Sequence, residues 1–587
     1  MQQAARQDIQ GRGTRRLKLA LMVAALTLAA CGSSSGVSGS ASARHKPNVI
    51  VILADDVGFS DLSAFGSEIA TPNLDALVSE GRVMSNMHAT PLCATSRAEL
   101  LTGADHHLVG VDTLPESTIF YLGRYTAALG DAALTVAQRL LDAGYHTYMA
   151  GKWHLGGGGA MAQGFEQSFS LDDSAAFANN FWPVGSEKLS ASKPYFENGV
   201  EVTTLPDDFF SSDYFTSKLK QYIGSNKGDG KPFFAYLAFQ ATHFPLQAPD
   251  AYLDLYKGQY DGGYDAIRGA RLQKQKDLGL IPADFKDNPG DEATMVRFGQ
   301  PGPLTNQSWD SLSADDKKSE ARIMEVFAGM LTNLDDNVGK LVAYLKEIGE
   351  YDNTMIVFVS DNGPDGMGYG FIPYVDSTGN TDIDNGYDNY GRRSSFLFRS
   401  TRWAEAGAVP LRLFKSFTAE GGISVPAIVR LPKQTRGAAS SAALGTLRDI
   451  VPTILDVSGV ADTGTQYQGR TVAALEGASL KPVLDGSRGE VHGQDEVIAD
   501  EVNDIRYVRK GNWKATRIVN YLLPSAAANL DHDWQLYDMS VDRGETNDLA
   551  AAHPDKLAEL VAEWQAYVAR VGVRQPLLPP LLPPIDE

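Results

Sequence analysis

The stretch Pro47-Asn48-Val49-Ile50-Val51-Ile52-Leu53-Ala54 is an unbroken apolar run that ends at Asp55-Asp56. A continuous run rich in β-branched residues is typical of a strand buried on both faces of a parallel sheet. Residues 354–360 repeat the pattern and end at Asp361-Asn362. Apolar residues at helical spacing precede this second run, so the sequence predicts the helix-then-strand alternation of an α/β fold.

Two further predicted strands also end at polar side chains. Residues 145–150 lead into Lys152 and His154, and residues 233–239 lead into His243. In an open α/β sheet, ligands bind outside the carboxyl ends of the strands. Each polar residue alone has a structural explanation, such as an N-cap aspartate or a core histidine. Their joint placement at four strand ends favours a binding site.

Cys93 lies in a stretch, residues 91–103, that predicts a short helix. Ser96 followed three residues later by Glu99 has the pattern of a capping box, and Gly103 fits the left-handed position after the last turn. Cys93 is then expected just before the helix N-terminus, where unpaired N–H groups favour an anion and Arg97 adds positive charge. A buried structural thiol is the alternative explanation for a single cysteine.

The same stretch resembles the signature of the type I sulfatases, through Cys93, Ser96, Arg97 and residues 101–103. Residues 102–107 are similar to the bacterial arylsulfatase branch of that family. The resemblance implies an alkaline-phosphatase-like fold, with a mixed sheet between helices and a smaller C-terminal α+β domain. It also implies that a maturation enzyme oxidises Cys93 to formylglycine, whose aldehyde hydrate attacks a small-molecule sulfate ester.

The oxygen-bearing side chains at the strand ends are the donors that a hard divalent cation prefers. Ca²⁺ is favoured over Mg²⁺, because side-chain oxygens from separate strands satisfy a loose, high coordination number. The metal ligands that the resemblance implies are Asp55, Asp56, Cys93, Asp361 and Asn362. The catalytic residues that it implies are Cys93, Arg97, Lys152, His154, His243 and Lys415.

The resemblance also implies individual roles for the basic residues of this set. Lys152, His243 and Lys415 bind the substrate, and either His243 or Lys415 gives a proton to the departing oxygen. His154 is the base that deprotonates the second hydroxyl of the hydrate. Arg97 and the two lysines neutralise the sulfate oxygens together with the metal.

Length and composition set the predicted domain organisation. The chain has 587 residues, of which 43% are hydrophobic, enough for one large core and a second, smaller one. Residues 46–488 are expected to form the catalytic domain, and residues 489–587 a domain of short antiparallel strands and a helix. The net charge of −20 excludes an extended basic surface for nucleic acid, so an anionic substrate needs locally concentrated cations.

Residues 1–30 have the features of a signal peptide of the lipoprotein type. Arginines precede an apolar run over residues 19–30, which is too short to span a bilayer. The run ends in a sequence similar to a bacterial lipobox, so Cys31 is the predicted lipidation site and residues 31–45 a Gly/Ser-rich tether. Plain cleavage near Ala30 is the alternative. The predicted location is the periplasm or the outer membrane, with the membrane contacted through the lipid.

The predicted reaction is hydrolysis of a sulfate monoester, with an aryl sulfate favoured. One alternative is a phosphodiesterase or phosphonate monoester hydrolase of the same superfamily that uses the same modified Cys93. A second is a non-catalytic lipoprotein that binds anionic ligands, which Thr95 keeps open because the family has Pro or Ala at that position. Residues proposed for an aromatic wall around the leaving group, with ordinary packing equally favoured, are Phe177, Phe181, Trp182 and Trp403.

Overall fold

The structure of the protein is a computed structural model that describes residues 46–115, 118, 126–171, 180–181, 195–288, 307–366, 383–518 and 534–574. The predicted leader and tether, residues 1–45, lie outside the described residues. Lys46–Glu587 form one compact unit. Within the described ranges, no helix has both the length and the apolar character needed to cross a membrane.

The strands of the described residues are β1 (Asn48–Ala54), β2 (Arg82–His88), β3 (His146–Lys152), β4 (Gln167–Leu171), β5 (Tyr195–Glu197), β6 (Val200–Glu201), β7 (Phe233–Ala238), β8 (Thr354–Ser360), β9 (Ser424–Arg430), β10 (Gly445–Thr446), β11 (Gln466–Tyr467), β12 (Arg470–Thr471), β13 (Val497–Val502), β14 (Ile505–Lys510), β15 (Trp513–Arg517) and β16 (Gln535–Asp538). The α-helices are α1 (Pro72–Glu80), α2 (Cys93–Thr102), α3 (Val136–Asp142), α4 (Gly159–Ala162), α5 (Ser211–Ser225), α6 (Asp250–Leu253), α7 (Gly263–Asp277), α8 (Ala314–Glu347), α9 (Thr401–Ala408), α10 (Glu420–Ile423), α11 (Ile450–Ser458), α12 (Lys481–Leu484) and α13 (Pro554–Val571).

A large mixed sheet organises the chain, with strand order β10-β2-β9-β8-β1-β7-β3-β4-β5-β6. Its centre is parallel, because β1 pairs in parallel with both β7 and β8, and β3 pairs in parallel with β7 and β4. Strand β9 runs antiparallel between β8 and β2. The carboxyl ends of the central strands therefore share one edge of the sheet.

The apolar runs form central strands because both faces of the sheet are covered. Alternate residues of β1 enter different cores: Ile50 and Ile52 pack in one cluster, and Val49 and Val51 pack in the other. The first cluster includes the apolar side of the long helix α8, and the second includes α2, α3 and α11. A strand buried on both faces needs no polar alternation, which explains the continuous apolar sequence.

A second, antiparallel sheet is formed by β13-β14-β15-β16. Helix α13 packs on it through Leu560, Trp564, Tyr567 and Val571. The strands and helix predicted for the C-terminal region are thus confirmed as elements. The boundary at residue 489 stays a prediction, because the contacts group this sheet with the rest of Lys46–Glu587.

One long helix lies where the sequence predicts none. Residues 248–319 have weak apolar periodicity, which predicts an irregular excursion, but they contain the helix α7. This helix buries polar groups: Arg271 is enclosed and pairs with Asp61 and Glu68. A helix whose buried side carries arginine and glutamine leaves no apolar stripe for periodicity to detect.

Candidate active site

Four strand ends place their polar residues together at one edge of the large sheet. Ala54 is paired with Ser360 in the β1–β8 ladder, so Asp55-Asp56 and Asp361 follow neighbouring strand ends. Ligand atoms of Asp55, Asp56, Cys93 and Asp361 all lie within 4.8 Å of one another, and all four residues are buried. The pairing register, which no local pattern specifies, is what makes these residues neighbours.

Helix α2 begins at Cys93, so the predicted capping box at Ser96 is wrong. Ser96 lies within the first turn instead, where its hydroxyl accepts a hydrogen bond from the backbone N–H of Thr90 at 3.0 Å. This hydrogen bond closes the loop before the helix. Leu92 occupies the N-cap position, where no side chain forms a capping hydrogen bond. The predicted end of the helix is correct, because Gly103 has the left-handed φ of 69°.

Thr95 is accommodated in the same first turn without an unpaired polar atom. Its side chain is buried, and its hydroxyl donates to the Leu92 carbonyl oxygen at 3.0 Å. The hydroxyl of Thr90 lies in hydrogen-bonding contact with it as well. A threonine at this position therefore fits the helix start that presents Cys93.

The Cys93 thiol points toward the carboxylates, with Sγ 3.5 Å from Oδ1 of Asp55. Burial and the negative charge of Asp55 raise the pKa of Cys93 well above its ordinary value. The unmodified side chain is therefore a neutral thiol that donates to Asp55. A neutral thiol is a poor nucleophile, so this side chain in its unmodified form is not activated for attack.

Arg97 and Lys152 face the acidic group from the side of α2 and β3. The Arg97 guanidinium donates to Oδ2 of Asp361 at 2.7 Å and lies 3.3 Å from Asp55. Another of its N–H groups donates to the Lys152 carbonyl oxygen at 2.9 Å. The Lys152 ammonium donates to Oδ2 of Asp55 at 2.6 Å. Two fully buried cations thus hold two of the carboxylates in place.

Lys415 and His243 face Asp56 from the other side. The Lys415 ammonium lies 2.8 Å from Oδ1 and 2.9 Å from Oδ2 of Asp56. Nε2 of His243 lies 3.8 Å from the same carboxylate, and Nδ1 donates to the Phe244 carbonyl oxygen at 2.7 Å. Because a carbonyl can only accept, Nδ1 carries a proton. Burial and the charges of Lys415 and Lys152 lower the pKa of His243 to about 3, so the ring is neutral and presents Nε2 as an acceptor.

Burial and nearby charges shift the pKa values of the three aspartates in different directions. Burial alone would raise the pKa of Asp55, but Lys152 and Arg97 hold that pKa well below its usual range. Burial and repulsion by Asp55 raise the pKa of Asp361 to about 7, although Arg97 lies beside it. Burial likewise raises the pKa of Asp56 despite its contact with Lys415. Three buried cations therefore face three carboxylates, but they lower the pKa of Asp55 only.

These acidic side chains fit a divalent cation. The Asn362 amide donates to Oδ1 of Asp56 at 2.6 Å, which fixes its orientation. Its Oδ1 is buried and has no hydrogen-bond partner among the described residues. An orphaned amide oxygen beside Asp55, Asp56 and Asp361 is what a hard cation with oxygen ligands requires. These four residues, with position 93, form the candidate metal site.

The remaining predicted residues are His154 and the four residues of the predicted aromatic wall. His154 is buried two residues after the end of β3, with a left-handed φ of 59°. Trp403 packs in the main core against Tyr260 and Trp309, so packing explains it and the aromatic wall does not. Phe181 stacks edge-on against Phe210. Phe177 and Trp182 lie outside the described residues.

Two buried polar clusters that the sequence did not predict join this site to the C-terminal sheet. At the end of α2, His106 bonds to Asp500 at 2.8 Å, and His107 lies 3.2 Å from Glu501. The second cluster surrounds Glu420 and includes Lys514 and Glu545. The adjacent acids Asp500 and Glu501 lie inside β13 and are a signal of such a cluster, because strand interiors disfavour charge.

The fold and this arrangement of carboxylates and cations around one side chain define a class of enzymes that cleave anionic esters. The chain belongs to the Sulfatase family, whose model matches residues 47–460. Membership implies hydrolysis of sulfate esters. It also confirms the family predicted from Cys93, Arg97 and residues 101–103.

Comparisons with individual proteins agree with the family. The chain is 38% identical to an uncharacterized sulfatase of Schizosaccharomyces pombe over 547 residues, covering 90% of this chain and 94% of that one. It is 35% identical to an arylsulfatase of Klebsiella aerogenes over 471 residues, covering 79% and 96%. A crystal structure of Ps i-CgsB in complex with k-i-k-neocarrahexaose is similar in fold, with a TM-score of 0.60, 23% identity, and coverage of 91% and 94%. The predicted alkaline-phosphatase-like fold class is confirmed.

Proposed function

We propose that the protein hydrolyses sulfate monoesters, and aryl sulfates in particular, at a formylglycine derived from Cys93. The observation that carries the proposal is the position of Cys93, at the start of α2 and 3.5 Å from Asp55 within the acidic group. Around it lie three buried cations, Arg97, Lys152 and Lys415. The similarity to the Klebsiella aerogenes arylsulfatase supports the aryl leaving group.

In the overall reaction, water and a sulfate monoester give an alcohol or phenol and hydrogen sulfate. The bond between sulfur and the bridging oxygen breaks, its electron pair stays on the departing oxygen, and that oxygen takes up a proton. The Sγ atom of Cys93 stands in for the oxygen nucleophile. A formylglycine hydrate at this position supplies that oxygen and a route to release sulfate by re-forming its carbonyl.

Lys152 and Lys415 bind the sulfate group by their charge. Burial opposes the charge on both, but Asp55 raises the pKa of Lys152 and Asp56 raises that of Lys415, so both stay protonated at neutral pH. Each ammonium has three N–H donors, so it keeps donors for an ester oxygen beyond its bond to an aspartate. We assign the protonation of the departing oxygen to Lys415, because the neutral His243 ring presents an acceptor nitrogen to the site and not a donor.

Arg97 acts from behind the nucleophile. Its guanidinium is bonded to Asp361 and to the Lys152 carbonyl oxygen, which fixes the orientation of both. His154, which follows Lys152 by two residues, is the proposed base toward position 93. The residues of the site are nearly completely buried, and the low dielectric constant of this environment strengthens the charge interactions among them.

We propose Ca²⁺ as the ion, bound by Asp55, Asp56, Asp361, Asn362 and the group at position 93. The support is the all-oxygen donor set and the orphaned Oδ1 of Asn362. A bound divalent ion supplies positive charge that stabilises the sulfate oxygens and acidifies the nucleophile. Replacement by Mg²⁺ is the competing possibility, and activity of metal-free protein with each ion separates them.

Mass spectrometry of the tryptic peptide of residues 83–97 tests the proposal directly. Protein from its native host should contain an aldehyde in place of the Cys93 thiol, and should hydrolyse 4-nitrophenyl sulfate. Cys93→Ala should abolish turnover while the thermal unfolding temperature stays close to that of the wild type. An intact thiol together with tight sulfate binding and no turnover would favour the non-catalytic alternative.

The phosphodiesterase alternative is tested with the same preparation. Turnover of 4-nitrophenyl sulfate is compared with turnover of bis(4-nitrophenyl) phosphate and of a phenylphosphonate monoester. A higher kcat/KM for the sulfate supports the proposal. A higher kcat/KM for either phosphorus ester would assign the same machinery to the alternative reaction.

We further propose that the protein is exported and carries a lipid on Cys31. The support is the basic and then apolar leader that ends at Cys31, followed by the Gly/Ser-rich residues 32–42. Labelled palmitate should be incorporated into the wild type in a bacterial host but not into Cys31→Ser. Release of wild-type protein from membranes by salt alone would argue against the anchor.

A further inference from the structure

Residues 412–422, termed here the Lys415 segment, connect to both of the loops that form the acidic site. The Lys415 backbone N–H donates to the Pro364 carbonyl oxygen at 3.1 Å, in the loop that follows β8. The Ser416 N–H donates to the carbonyl oxygen of Pro91 at 2.9 Å, two residues before Cys93. The position of this segment therefore sets where the Lys415 ammonium lies relative to Asp56 and to position 93.

One end of the segment is held by a buried ionic cluster that comes from the C-terminal sheet. The Lys514 ammonium on β15 lies 2.9 Å from Oε1 of Glu420 and 2.8 Å from Oε1 of Glu545. The other oxygen of Glu420 is 2.9 Å from Nε2 of His88. The Glu420 backbone N–H donates to Glu545 at 3.1 Å. The side chains of the lysine and both glutamates are completely buried.

Strand β15 and its neighbour β16 also hold the rest of the segment. The hydroxyl groups of Thr418 and Thr516 are 2.8 Å apart. Arg412 donates to the hydroxyl of Tyr537 at 2.7 Å and to Oε1 of Gln535 at 3.0 Å. The C-terminal sheet thus contacts the segment on both sides of Lys415.

The ammonium of Lys514 lies within 3 Å of both carboxylates, whereas the guanidinium of Arg543 is further away, 3.9 Å from Glu420. Without the Lys514 ammonium, Glu420 and Glu545 face each other in a medium of low dielectric constant, and removing one partner of a buried ion pair is costly. Glu420 is only five residues from Lys415, and Gly421 and Gly422 pack directly against backbone oxygens of the segment. A displacement of Glu420 therefore also displaces the Lys415 segment, because the close packing leaves no free space between them.

We propose that Lys514, acting through Glu420, is a positioning residue that sets the place of Lys415 in the active site. The inference rests on the proposed function for the role of Lys415 in turnover. The C-terminal sheet is accordingly part of the catalytic apparatus, although its lysine does not touch the reacting atoms.

The kinetic test uses Lys514→Met and two substrates that differ in leaving group. Phenol is a poorer leaving group than 4-nitrophenol, so it depends more on the charge and proton that Lys415 provides. We expect kcat/KM for phenyl sulfate to fall at least about tenfold more than kcat/KM for 4-nitrophenyl sulfate, since general acids contribute roughly 10²–10⁴-fold. The ratio of the two losses does not depend on how much of the variant is folded, so simple destabilisation leaves it unchanged.

Lys510→Met is the matched control. Lys510 lies on the neighbouring strand β14, and its ion pairs run to Glu563 and Glu559 of α13. This variant should leave the ratio of the two substrates as in the wild type. Lys415→Ala should reproduce the selective loss, and combining it with Lys514→Met should add no further selectivity, because both act through one group.

A crystal structure of Lys514→Met measures the positioning independently of activity. We expect the Lys415 ammonium to leave hydrogen-bonding distance of Asp56, whereas Lys510→Met keeps it there. An unmoved ammonium together with an unchanged substrate ratio would overturn the proposal. Wild-type protein that hydrolyses neither sulfate would refute the proposed function, and the crystallographic distance would still decide the positioning role. If Lys514→Met does not fold, the isosteric Glu420→Gln carries the same measurements.

Discussion

His107 is expected to make the protein lose stability as the pH rises above about 6.5. Its Nδ1 lies 3.1 Å from Oδ1 of Asp105, and its Nε2 lies 3.2 Å from Oε2 of Glu501. Carboxylates accept hydrogen bonds only, so both ring nitrogens carry protons. Burial opposes this charge, but the hydrogen bonds to Asp105 and Glu501 raise the pKa of His107 well above 6.5.

The direction of this pH effect follows from the linkage between proton binding and folding. A pKa raised by folding contributes stability that is fully present below the unfolded pKa and is lost as the pH rises toward the folded one. Each pH unit in that window removes about 1.4 kcal/mol for one proton. His107 is 1% exposed at its side chain, so solvent screening does not reduce the effect. Above pH 6.5 the free energy of unfolding should therefore fall with pH, at a slope that approaches about 1.4 kcal/mol per pH unit, until the pH reaches the raised pKa of the folded protein.

Chemical denaturation of the wild type and of His107→Gln at several pH values measures this contribution. The glutamine has no titratable proton, so the difference in unfolding free energy between the two proteins should shrink as the pH rises above 6.5, by up to about 1.4 kcal/mol per pH unit. His553→Gln, at an exposed histidine, is the control substitution. Parallel pH profiles for the wild type and His107→Gln would show that the ring is neutral in the folded protein and would refute the reasoning.

Three further predictions concern the active site. Lys152→Met removes the cation 2.6 Å from the buried Asp55 and leaves Arg97 at 3.3 Å, so it should destabilise the protein by up to about 3 kcal/mol, measured by thermal unfolding; an unchanged unfolding temperature would contradict it. Dialysis against a chelator should lower both activity and unfolding temperature, and Ca²⁺ at about 100 times its Kd should restore about 2.7 kcal/mol; failure of any ion to restore either would argue against a metal site. Gly363→Ala places Cβ 2.0 Å from the Gly421 carbonyl oxygen, so the loop after β8 must move. We expect kcat/KM to fall on the order of 10²-fold while the circular dichroism spectrum stays native. Full activity would show that the loop moves without displacing the catalytic groups.

The residues of the acidic site were predictable because each follows a strand with a strong local pattern. The run before Asp55 is apolar throughout, and the run before Asp361 repeats it. Parallel strands bring their carboxyl ends to one edge, so two local patterns and one topological rule suffice. The start of α2 was misplaced by contrast, because the Ser96 hydroxyl bonds to Thr90 and does not cap the helix.

The clusters at the C-terminal sheet were not predictable in the same way. Lys514 and Glu420 are 94 residues apart, and the residues of the His106–Asp500 pair are 394 apart. A charged residue on a short strand is equally compatible with solvent exposure, and only the docking of the two sheets decides that these charges are buried. Helix α7 escaped detection for a related reason, because arginine and glutamine occupy its buried side.

The sequence by itself determined the α/β class, the family, and the residue types that gather where the strands end, because apolar runs and short motifs are local properties of the chain. The tertiary structure alone decided which charges meet. Strand register set Asp55 beside Asp361, and the packing of the C-terminal sheet placed Lys514 against Glu420. Contacts between distant residues depend on how the elements pack in three dimensions, and that arrangement is not recorded in any local pattern.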